Sequence, residues 1–226
     1  MNHRQLPLAI AAAALVVCVR GAESPQPFED TILAYEAKDR ATPPPVAPIL
    51  FVGSSTFRGW SSLEQDFAPL PVLNRGFGGS TMKGLLHFFD RIVLPYKPRL
   101  IVVYEGDNDL AGEKAKAEDF LTQCVTFVER VREELPGTEQ IFFIPPKPSV
   151  KRWSRWPEMK RASDLLKELA AGDPRVSVID TAPTLLAADG TPDPALFKAD
   201  GLHLNAEGNA RWLAVIRPLL EQALAR

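Results

Sequence analysis

Five short runs of mostly apolar residues punctuate the chain: Ile49-Leu50-Phe51-Val52, Val72-Leu73-Asn74, Leu100 to Tyr104, Gln140 to Ile144 and Val176 to Ile179. A strand with one wet face alternates polar and apolar positions, whereas near-continuous runs predict strands covered on both faces. Between the runs the spacing becomes helical. Phe120, Leu121, Cys124, Phe127, Val128, Val131 and Leu135 form one stripe within Ala115 to Leu135. Trp212, Leu213, Ile216, Leu219, Leu220 and Leu224 form another within Glu207 to Leu224. Strands alternating with helices predict a parallel sheet with helices on both faces, an α/β fold. Such sheets bind ligands beyond the carboxyl ends of their strands, so the residues just after each run carry the candidate chemistry.

Ahead of the first run, a helical pattern over Phe28 to Arg40 is followed by Thr42-Pro43-Pro44-Pro45, a rigid extended link that cannot continue a helix. The compact domain is therefore expected over 48–226, with a helix and Pro-rich linker over 23–47. Residues 1–22 read as a basic start, an apolar stretch from Leu6 to Val19, and Arg20-Gly21-Ala22, the order of a secretory signal peptide. The 14 residues of the stretch fall short of the ~20 needed to span a bilayer. Export to the periplasm or the medium is expected, with no integral membrane span in the mature chain.

Composition narrows the picture. With 226 residues and 46 % hydrophobic positions, the chain can bury one α/β core without disulfides or a structural metal. Cys18 lies in the N-terminal segment and Cys124 on an apolar helical stripe, so neither a disulfide framework nor a thiolate zinc site is expected. The net charge of −2 becomes more negative once Arg4 and Arg20 are removed, which argues against a nucleic-acid partner.

The first run ends in Gly53-Ser54-Ser55-Thr56, a glycine turn suited to holding a hydroxyl at the sheet edge, or simply a serine-rich helix cap. The second ends in Arg75-Gly76-Phe77-Gly78-Gly79-Ser80-Thr81, whose glycines permit close backbone approach. Glu105-Gly106-Asp107-Asn108-Asp109 follows the third, a costly place for polar groups unless they bind or organise something, although an Asx turn explains it equally well. Near the C-terminus Asp200 stands three residues before His203, with Asn205 placed to cap the last helix. Beyond the N-terminal segment only His87 and His203 are present, and His87 sits in a helical pattern where packing explains it. His203 is thus the candidate general base.

In this order the four blocks resemble the SGNH branch of the GDSL serine esterases and lipases over about Ile49 to Leu220. The resemblance implies a three-layer α/β/α sandwich, flavodoxin-like, with a five-stranded parallel sheet in the order 2-1-3-4-5. Carried over position by position, it implies Ser55 as nucleophile, Gly79 and Asn108 as oxyanion donors, and Asp200 and His203 as the acid–base pair. The usual Gly-Asp-Ser reads Gly53-Ser54-Ser55, and alignment on Gly53 and Trp60 favours Ser55 over Ser54. The acid often found after the second-block glycine is Ser80. The chemistry has its own logic: serine needs a base within hydrogen-bond reach, the base needs an acid to fix its tautomer, and the oxyanion needs donors. No cofactor and no metal is required.

Substrate is less sharply written. Lys147, Lys151, Arg152, Arg155, Lys160 and Arg161 face only Glu158 within 147–161, with Trp153 and Trp156 between them. That stretch is a candidate rim for a glycan or an anionic lipid, or else a solvated helix start. Arg58 and Trp60, close behind Ser55, are further substrate-binding candidates. No long apolar lid is evident, which favours short acyl groups such as acetyl on a small-molecule, lipid or glycan ester. Two other classes are weighed: a metallophosphoesterase using Asp107, Asp109, Asp200 and His203, which is short of imidazoles, and a non-catalytic carbohydrate- or lipid-binding protein on the same fold.

Overall fold

Each apolar run forms a strand in the computed structural model, which describes residues 28–225: β1 Ile49–Gly53, β2 Val72–Gly76, β3 Leu100–Tyr104, β4 Gln140–Phe143 and β5 Val176–Val178. All neighbours pair in parallel, in the order β2-β1-β3-β4-β5. The expected signal segment, 1–22, lies outside the described residues, as do residues 23–27. Among the described residues no helix is long and apolar enough to cross a membrane.

The strand runs are apolar because alternate side chains enter two different cores. Leu50, Val52, Ile101, Val103, Ile141 and Phe143 face helices α1 (Glu29–Ala41), α3 (Met82–His87), α4 (Ala117–Glu134) and α5 (Trp156–Gly172). Ile49, Phe51, Val102, Tyr104, Phe142 and Ile144 face α2 (Ser55–Gly59) and α6 (Ala206–Leu224). This is the three-layer α/β/α sandwich. The α4 stripe buries Phe120, Cys124, Phe127, Val128 and Val131, as its spacing requires, and the α6 stripe buries Trp212, Ile216 and Leu220.

Helix α1 is built into the domain: Ile32 is fully buried, Tyr35 Oη donates to the Gly76 carbonyl, and Asp39 pairs with the buried Arg75 guanidinium. Tyr96 Oη also donates to Asp39, 2.6 Å away. The prolines after Ala41 stop the helix but do not detach it. The sheet order reverses between β1 and β3, and at such a switch point the carboxyl ends of the strands leave a crevice. The loops after β1 and β3 both open there.

Candidate active site

Gly53 closes β1 with φ of 143°, and a Cβ there would lie 2.0 Å from the Tyr104 carbonyl oxygen. Only glycine lets β1 turn this tightly against the end of β3. Ser54 follows, buried, with its N–H on the Tyr104 carbonyl at 3.0 Å. Ser55 opens α2, so its own N–H has no acceptor within the helix. Its hydroxyl reaches out of the turn, and Oγ lies 2.8 Å from His203 Nε2. Of the two serines weighed from sequence, Ser55 is the one joined to the imidazole.

His203 is held from the far side. Its Nδ1 stands 2.5 Å from Asp200 Oδ2, while Asp200 Oδ1 accepts the backbone N–H groups of Leu202 and His203, each at 2.9 Å. The hydrogen bond from the His203 side chain, aided by these two N–H groups, holds the Asp200 carboxyl well below the usual carboxylate range. An ionised carboxylate only accepts, so Nδ1 carries the proton and Nε2 is left as the acceptor for the Ser55 hydroxyl. Asn205 caps α6 as expected, with Oδ1 accepting from Gly208 N–H at 3.0 Å.

The second loop lies alongside. A Cβ on Gly78 would fall 3.9 Å from Ser55 Cβ, and Gly79 is exposed with φ of 84°. Ser80 is buried, and its carbonyl accepts from Asn108 Nδ2 at 2.7 Å. The chain of contacts from Ser55 through Gly78–Ser80 to Asn108 brings the five positions Ser55, Gly79, Asn108, Asp200 and His203 to one end of the sheet.

The acids around Asn108 serve that loop. Asp109 accepts from Met82 N–H at 2.9 Å and from Gly106 N–H at 3.0 Å, tying the loops after β2 and β3 together. Asp107 Oδ2 takes Lys147 Nζ and the Tyr104 hydroxyl, both at 2.5 Å. Glu105 accepts from Ser80 Oγ at 2.5 Å, and full burial pushes its carboxyl well above the usual range. Among the described residues no three His, Cys, Asp or Glu side chains converge as metal ligands.

Several rim candidates are placed otherwise than the sequence suggested. Trp60 is 1 % exposed; it packs against Phe67, and Nε1 donates to Asp66 Oδ2 at 2.5 Å, so it belongs to the core under α2. Arg58 is exposed and reaches across to Thr31 Oγ1 of α1, at 2.9 Å. Trp153 and Trp156 stack with ring centroids 5.9 Å apart; both are half-buried, and Trp156 also packs on the core. The basic stretch is split: Lys151, Lys160 and Arg161 are exposed, while the others brace the fold. Lys147 is buried, Arg155 donates to the carbonyls of Leu110, Glu113 and Ala115, and Arg161 pairs with Glu118.

A cleft of about 300 Å³ opens beside Asn108, lined in part by Thr81, Lys83, Lys116, Phe120 and Gln123. A larger cavity of about 730 Å³ lies at the opposite edge, before β3 and β4, and touches none of these residues.

Solved structures share this architecture. A GDSL-like lipase from Bacteroides thetaiotaomicron superposes with a TM-score of 0.69 at 18 % identity, covering 85 % of this chain and 98 % of its own. A lipase/acylhydrolase from Enterococcus faecalis gives 0.63 at 22 %, covering 77 % and 96 %. A variant of an acetyl-xylooligosaccharide esterase from Geobacillus gives 0.63 at 16 %, covering 78 % and 94 %. No curated protein matches the sequence. Residues 46–211, which hold all five converging positions, match the GDSL-like Lipase/Acylhydrolase family, and the chain therefore belongs to that family of ester hydrolases.

Proposed function

We propose that the chain is a serine esterase acting through an acyl-enzyme, with Ser55 as nucleophile, His203 as base and Asp200 as its orienting acid. The observation that carries this reading is the continuous line from Ser55 Oγ to His203 Nε2 and from His203 Nδ1 to Asp200 Oδ2. As Oγ attacks the ester carbonyl, its proton passes to Nε2, and the Asp200 carboxylate stabilises the imidazolium. The oxyanion is met by the N–H groups of Ser55 and Gly79 and the amide of Asn108, each such donor contributing about 3 kcal/mol in the transition state. The imidazolium then protonates the leaving alkoxide. Water, deprotonated by His203, releases the acid and restores Ser55.

Short acyl groups, acetyl foremost, are the proposed acyl side, since the sequence carries no long apolar lid. The alcohol side is proposed to be a sugar or small lipid; the sugar ester named for the Geobacillus neighbour makes acetylated xylo-oligosaccharides a first substrate panel. Residues 1–22 are proposed to direct export.

A fluorophosphonate probe with peptide mapping tests the mechanism, alongside p-nitrophenyl acetate turnover. Labelling at Ser55, abolished in Ser55→Ala and His203→Ala together with turnover, is the expected result. Turnover surviving in a folded Ser55→Ala protein overturns it.

A further inference from the structure

The connection from β4 to α5 touches the loops after β1 and β3 and the Asp200–His203 loop. Lys147 Nζ lies 3.3 Å from Thr56 Oγ1, next to the nucleophile, and 3.0 Å from the Tyr104 hydroxyl. Lys151 N–H donates to the Gly201 carbonyl at 3.0 Å, inside the Asp200–His203 loop. Arg152 reaches the third loop: Nη1 donates to the Asp107 carbonyl at 2.6 Å, and Nη2 to Asn108 Oδ1 at 2.9 Å. Pro146 approaches so closely that a Cβ on Gly106 would lie 2.5 Å from its Cγ.

The contact to Asn108 matters because a primary amide has two faces. One orientation offers N–H to a developing oxyanion, and the flipped one offers a carbonyl oxygen that would repel it. A guanidinium carries only donors, so it bonds the amide oxygen and rejects the flipped form. The Ser80 carbonyl can only accept, and it takes one Nδ2 hydrogen from the other side at 2.7 Å. With both neighbours fixed in character, the second Nδ2 hydrogen is left free and aimed. Among the described residues no carboxylate lies within ion-pair distance of Arg152, so its charge is not neutralised by a salt bridge. A hydrogen bond from a full positive charge to Oδ1 draws electron density from the amide and strengthens its N–H as a donor.

From this two-sided lock we propose that Arg152 is a positioning residue for the reaction, setting the orientation and donor strength of the Asn108 amide rather than binding substrate. The inference rests on the reading of Asn108 as an oxyanion donor. A donor used mainly in the transition state affects kcat, so its positioner does too. Lysine can restore one bond from its ammonium but not the planar pair of donors.

The test is steady-state hydrolysis of p-nitrophenyl acetate by the full-length protein and by Arg152→Ala, Arg152→Lys, Asn108→Ala and the Asn108→Ala/Arg152→Ala double variant. Arg152→Met, which keeps the alkyl stem, replaces the alanine variant in both backgrounds if the latter does not fold. Removing Arg152 is expected to lower kcat about tenfold with little change in KM, against roughly a hundredfold for Asn108→Ala. Arg152→Lys recovers part of the loss, and in the Asn108→Ala background removing Arg152 costs nothing further. An equal loss in both backgrounds, a loss confined to KM, or unchanged kcat beside a costly Asn108→Ala each overturns the positioning role alone. A silent Asn108→Ala overturns the oxyanion assignment and this role with it.

Discussion

Two acid-bearing loops meet at the same edge of the sheet and are used in opposite ways. In the loop after β3, Glu105 is buried and Asp109 half-buried, and desolvation raises both carboxyl groups above the usual range. Glu105 Oε2 and Asp107 Oδ1 have no hydrogen-bond partner at all. In the loop before α6, Asp200 is exposed at its outer edge, yet three N–H groups from His203 and Leu202 pull it down. The first loop spends its acids on fixing backbone around Asn108, whereas the second places one acid in line with a base. Burial makes the difference: Asp109 also accepts two backbone N–H groups, yet desolvation raises it, whereas the exposed Asp200 is governed by its hydrogen bonds.

That contrast can be broken by substitution. Asp200→Asn leaves a similar shape but removes the charge facing the imidazolium, and kcat should fall about a thousandfold. The Asp200 contribution to stability is present above the unfolded carboxyl pKa and is lost only as pH falls through the depressed folded value. The stability difference between the two proteins should therefore shrink as pH falls below ~4. Lys147→Met acts on the other loop: it strands Asp107 in the interior and should cost about 3 kcal/mol in urea unfolding. Adding Asp107→Asn should recover most of that loss, since a buried pair removed together leaves no orphan charge.

The smallest effect sharpens the comparison through Glu105→Gln. Burial holds the Glu105 carboxyl well above its value in the unfolded chain, so this group lowers stability as pH rises past ~4.3. The glutamine variant should melt higher than wild type at pH 8, and the two should converge in acid. A wild-type advantage at pH 8 would show that the Glu105 carboxyl is ionised in the folded state.

Much of this was readable in the chain, for reasons that vary by residue. Strands buried on two faces leave runs such as Leu100 to Tyr104 that resemble nothing else, and Asp200 and His203 are close enough in sequence to meet within one turn. Trp60 was misread because an aromatic behind a nucleophile looks the same whether it faces a substrate or Phe67. Lys147 read as a surface charge because its partner, Asp107, is 40 residues away. Helix α1 looked detached because Arg75 and Gly76, which anchor it, belong to another strand. Arg152 lay in a stretch singled out for charge, but nothing local indicates that its fork ends on an amide.

The shared β4–α5 connection has a dynamic consequence. Lys147 holds Asp107 and lies against Thr56, Lys151 holds Gly201, and Arg152 holds Asp107 and Asn108, all from six residues of one backbone segment. Lifting one of these loops disturbs a support that the others also use, so their amide protons are expected to exchange with solvent together, which hydrogen exchange would check.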